Sequence, residues 1–172
     1  MKKLNLQDIE SIAEVIGAIA IVVSLIYVGI QVNDSALATR SATANDTSAA
    51  MSQWYIAVGS NPDATRVLLD GMTNPESLSR EETAQFIYMF HALFLEYQTA
   101  YYVAEQGTLD IELRDFLVNT LAGVREQPGF LKYWSQRREI FKPSFRDFVD
   151  DLIAQGKTNK SLEQMYQPKS SR

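Results

Sequence analysis

The chain has 172 residues, a formal net charge of −5, one histidine and no cysteine. That acidic balance excludes the basic footprint of a nucleic-acid binder. The missing thiols exclude disulfides, thiolate metal sites and cysteine nucleophiles, and a lone His91 rules out a multi-histidine metal site within one chain.

The first element is the most informative. From Val15 to Asn33 the sequence VIGAIAIVVSLIYVGIQVN carries no charge. About 20 such residues, rising 1.5 Å each, cross the hydrocarbon core of a bilayer. No polar stripe interrupts the run between Val15 and Ile30, which suits an apolar solvent on every side. A membrane span over residues 14–33 is therefore expected. A cleaved signal is the competing reading, since Lys2 and Lys3 give a basic start and Ala36-Leu37-Ala38 resembles a cleavage site. It fits less well: Asp8, Glu10 and Glu14 make the flank net acidic, the run exceeds a signal h-region, and the chain retains Met1. Lys2 and Lys3 on one side against Arg40 on the other place the N-terminus in the cytoplasm.

Asn5 can cap this helix, with Asp8 well placed in its first turn. Glycine and proline are both absent between Asp34 and Val58, so one helix is predicted from about Leu6 to Val58. At 1.5 Å per residue it would measure roughly 80 Å, with a stalk beyond the span. A flexible Ser/Thr/Ala linker over residues 34–52 is the alternative.

Gly59-Ser60-Asn61-Pro62 breaks the helix, and Pro62 suits the first turn of the next, which ends near Gly71. Asn74-Pro75 is a second break. Ser79-Arg80-Glu81-Glu82 reads as a capping box for a long helix that runs to Gln106 and stops at Gly107. Phe86, Phe90, Leu93, Phe94, Tyr97 and Tyr101 cover much of its circumference, so it should be the central helix. His91 is expected to be packed and hydrogen-bonded, and Glu96 to pair with one of the arginines Arg114, Arg125, Arg137, Arg138 or Arg146. Asp110 opens another helix with Phe116, Leu117, Leu121 and Val124 inward, ended by Pro128-Gly129. Phe130, Tyr133, Trp134 and Phe141 mark a short amphipathic segment. Pro143 starts a last helix with Phe145, Phe148, Val149 and Leu152 inward. The expected fold is all-α: a transmembrane and stalk helix over residues 1–58, a small helical bundle over 59–155, and a polar, mildly basic, loose tail over 156–172.

Small residues Ala13, Gly17, Ala20 and Ser24 form a stripe along the span, which lets helices approach closely in lipid. The stepping continues through Val28, Gln31, Ser35, Ala38, Ala42, Asn45, Ala49 and Ser52. An average step of about 3.5 residues suggests a left-handed assembly. Ala13, Gly17, Ala20, Ser24 and Gln31 are thus the candidate oligomer interface. Glu10 and Glu14 could form carboxylate rings at a pore mouth, although Glu14's place near a helix N-terminus at the interface is the better explanation. Tyr27 suits an interfacial anchor. Arg137-Arg138 beside Trp134 is a weak phosphate-binding signal. No phosphate loop, nucleophile elbow, zinc helix or calcium loop is present, so no catalytic, cofactor or metal residue is assigned.

Taken together, Glu14…Gly17…Val22-Val23-Ser24-Leu25-Ile26-Tyr27-Val28…Gln31, Pro75-Glu76-Ser77-Leu78…Glu81-Glu82…Phe86, Glu96…Ala100-Tyr101-Tyr102, Gly107-Thr108-Leu109-Asp110 and Trp134…Arg138…Phe141…Pro143…Phe145-Arg146-Asp147-Phe148-Val149-Asp150 carry a resemblance. Over residues 10–153 the chain resembles uncharacterised bacterial membrane proteins with one N-terminal span and a C-terminal all-helical domain. The resemblance implies a bacterial source and a helical domain, and transfers no catalytic residue. The expected function is a self-associating, non-enzymatic scaffold or interaction module in the inner membrane, whose partners are the lipid bilayer, further copies of the chain and an unidentified protein. A homo-oligomeric pore lined by the N-terminal helices, and a tethered enzyme using His91 and Glu96, are the alternatives.

Overall fold

The computed structural model describes residues 6–155, with side-chain burial from residue 10 onward. Asn5 and the tail over 156–172 lie outside the described residues. Within them the chain is helical throughout, with no strand. The helices are α1 (Leu6–Gly59), α2 (Pro62–Thr73), α3 (Arg80–Glu105), α4 (Ile111–Val124), α5 (Pro128–Arg137) and α6 (Pro143–Ala154), with a 3₁₀ turn over Arg138–Ile140 between the last two. The chain divides into two units, residues 1–41 and 42–172.

In the first unit every described side chain from Glu10 to Ser41 is exposed. The backbone is α-helical across residues 34–52, so the stretch that could have been a linker is helix. Alanine there offsets the weaker propensity of serine and threonine, and nothing breaks the hydrogen-bond ladder.

The second unit starts inside α1, earlier than the Gly59 break. Met51 and Val58 are buried, and Trp54 packs against the core and donates its indole N–H to the Met89 carbonyl at 2.9 Å. These apolar residues recur at helical spacing, so the last turns of α1 have one face to bury.

Each later helix starts where local chemistry directs it. Asn61 caps α2 by accepting from the backbone of Asp63 and Ala64, with Pro62 in the first turn. Ser79 and Glu82 form both bonds of the capping box on α3. The far end of α3 closes as a Schellman turn, with Gly107 N–H on Ala104 O and Thr108 N–H on Val103 O. Gly107 takes φ +69°, the left-handed conformation this cap needs. Asp110 caps α4 through the N–H groups of Glu112 and Leu113. Pro128 opens α5, so Pro128-Gly129 is a helix start as well as the break after α4.

The core is aromatic. Phe94 is fully buried and packs its ring on Phe90, Phe130, Tyr133, Trp134, Phe141 and Phe145. α3 is central, packing against α2, α4 and α6. Gly129 lets α5 approach α2 closely: a Cβ there would overlap the Gly71 carbonyl oxygen and lie 2.8 Å from Met72 Cα, while a Cβ on Gly71 would run into the Phe86 ring of α3. In α4, Leu117 and Leu121 are buried but Phe116 is 58% exposed, which corrects its inward assignment. Leu117 and Leu121 are one helical turn apart, and adjacent Phe116 lies off their line.

Candidate functional site

The candidate interface residues lie on α1. Ala13, Gly17, Ala20, Ser24 and Gln31 are all exposed, as are Glu10 and Glu14. A Cβ on Gly17 would meet no atom within 4 Å, so the surface there is open to a neighbour. Gln31 donates its side-chain N–H to the Tyr27 hydroxyl at 2.9 Å, an i,i+4 bond along the same helix. The continuation of the stripe at Ala42, Asn45, Ala49 and Ser52 is exposed too. Over these turns the buried or half-buried positions are Thr43, Ala44, Thr47, Ala50 and Met51. The helix therefore packs one face in its own core and leaves the stripe outside.

In the second unit His91 is half-buried, and its Nδ1 lies 2.7 Å from the Tyr133 hydroxyl on α5. The His91 ring also packs against Phe141 at 5.7 Å between centroids. Burial pushes the Tyr133 hydroxyl pKa up, partly offset by the charge of Arg137. Tyr133 thus stays protonated and can donate to an unprotonated Nδ1. This is the hydrogen-bonded packing expected for His91, and Glu96 does not take part in it. Glu96 is half-buried and forms no ion pair with any described residue, so its expected arginine partner is not found. Among the described residues no hydrogen bond joins His91 to Glu96.

The arginines serve other contacts. Arg138 reaches Asp150 and Glu139, Arg146 reaches Glu139, and Trp134 donates its indole N–H to Asp150 at 2.7 Å. Burial pushes the Asp150 carboxyl up, but hydrogen bonds from Arg138 and Trp134 and the charges of Arg138 and Arg146 outweigh it, leaving the pKa below the ordinary range. With its guanidinium shared between two carboxylates, Arg138 has little left for phosphate. Among the described residues no cluster of three or more His, Cys, Asp or Glu side chains could hold a metal ion.

A cavity of about 380 Å³ lies between α3, α4 and α6. Ala100 and Ala104 form part of its wall, where bulkier side chains would have filled it. Its mouth carries Glu105, Arg114 and Asp115. The sequence alone did not point to it. The signal would have been two alanines one turn apart on the inward face of an otherwise aromatic helix.

No family model, curated protein or solved structure matches the chain. What can be said of its function rests on its own residues.

Proposed function

We propose that this chain is a bacterial, single-pass inner-membrane protein whose N-terminus lies in the cytoplasm. On this reading it self-associates through α1 and presents its helical domain to a protein partner, without catalysing a reaction. The exposure of the apolar run carries the reading. From Ile12 to Val32 the large apolar side chains are 50% to 66% exposed, as on an isolated helix. A helix long and apolar enough to span a bilayer, with none of that surface covered by its own chain, calls for lipid or further copies around it. The bacterial source rests on the resemblance alone.

The stripe Ala13-Gly17-Ala20-Ser24-Gln31 supports self-association. Small side chains allow close backbone approach, and the stripe stays exposed as far as Ser52. The test is crosslinking and native mass measurement of the full chain in lipid nanodiscs. Wild type should give a defined oligomer, and the double variant Gly17→Leu with Ala20→Leu should shift it toward monomer. Monomer alone in wild type would overturn self-association. Release of the chain from membranes by alkaline carbonate would overturn the span.

A further inference from the structure

We propose that the cavity between α3, α4 and α6 binds an amphiphilic organic cation, its ammonium head at Glu105 and its hydrocarbon body over Ala100 and Ala104. The volume, about 380 Å³, falls in the range of small-molecule sites. Its wall is apolar and aromatic: Tyr97, Leu117 and Leu121 are buried core residues, and the rings of Tyr101 and Phe148 pack at 4.8 Å between centroids. The space follows from sequence. Along α3 the inward positions Phe86, Phe90 and Phe94 fill the core, and one turn beyond Tyr97 they give way to Ala100 and Ala104.

The charge at the mouth selects the head group. Arg114 is already held by Asp115, through Nε at 3.0 Å and Nη2 at 2.7 Å, so this pair contributes little net charge. Glu105 accepts from the Tyr101 hydroxyl at 3.0 Å and forms no ion pair with any described residue. Burial, then the bond to Glu105 and the negative charges of Glu105 and Asp147, raise the Tyr101 hydroxyl pKa, so Tyr101 stays protonated and keeps donating to Glu105. Uncompensated negative charge next to aromatic faces is the environment that favours an ammonium group. A carboxylate or phosphate head would face Glu105, with the Arg114 guanidinium of the lining already engaged by Asp115.

The test uses the full chain in zwitterionic nanodiscs, titrated calorimetrically with octyltrimethylammonium and, separately, octanoate, with empty nanodiscs as the blank. Saturable binding of the cation, at least tenfold tighter than octanoate, is expected. Glu105→Gln should weaken it about tenfold. Ala104→Trp, which fills the cavity, should abolish it. Circular dichroism identifies any loss of fold in Ala104→Trp, and Glu105→Gln leaves the packing intact and decides the matter alone. No saturable binding, equal binding of octanoate, or unchanged affinity in Glu105→Gln would each overturn the proposal.

Discussion

The two units use apolar residues in opposite ways. Between Ile12 and Val32 isoleucine, valine and leucine surround the helix and stay exposed. In the second unit the buried apolar residues mix aromatic with aliphatic side chains and lie on one face or two of each helix. There Phe94, Phe130, Phe145 and Val149 are at most 1% exposed. The physical difference is directional. A helix with a polar side can bury its other side against its own chain, whereas a helix apolar all round has no side for water. α1 contains both kinds of surface, with the change falling near Ser41.

The largest effect expected comes from the second unit. Phe94→Ala removes the ring on which seven other aromatics converge and should cost about 3–5 kcal/mol, read as a loss of thermal stability. An unchanged melting temperature would mean that the aromatic core does not hold this unit together. In the first unit, Ile21→Asp should disfavour insertion by about 2.5–3.5 kcal/mol while leaving the near-ultraviolet dichroism of the aromatic core intact. Membrane fractionation beside that spectrum reads both, and equal damage to both units would erase the distinction between them.

Gly129→Ala should destabilise by about 1–3 kcal/mol in a urea titration, because the added Cβ meets the Gly71 backbone, which cannot rotate away as a side chain would. The smallest effect concerns the entrance to α3. Hydrogen bonds from the Ser79 backbone, the Arg66 guanidinium and the Ser79 hydroxyl lower the Glu82 carboxyl to about 2 from 4.5. The folded pKa lies below the unfolded one, so Glu82 contributes stability above about pH 4.5 that is lost as pH falls toward 2. A stability gap between wild type and Glu82→Gln should be present at pH 6 and close near pH 2. A gap independent of pH would assign the effect to shape rather than charge.

Parts of this molecule could be read directly from the chain and parts could not. The bond between Ser79 and Glu82 joins residues three apart, and the Gly107 turn closes over five, so both are legible as short patterns. The pairing of His91 with Tyr133 joins residues 42 apart. No local pattern names it: the sequence marks His91 as a packed, hydrogen-bonded residue without saying which group it meets. Phe116 misled because an aromatic beside two inward leucines reads as part of their face. The cavity escaped notice because a void is a property of several helices at once. Ala100 and Ala104 look like ordinary helix formers until α4 and α6 fail to fill the space over them.

The sequence by itself determined the long uncharged run, the helix starts at Pro62, Ser79, Asp110 and Pro143, and the aromatic richness of the central helix. These depend on hydrogen bonds within a turn or two and on the periodicity of apolar side chains. Only the tertiary structure decided that the folded unit takes in the end of α1, that α2 and α5 meet at Gly71 and Gly129, and that Glu105 borders an open apolar space. Those outcomes depend on which surfaces meet across distant parts of the chain, where packing and desolvation act.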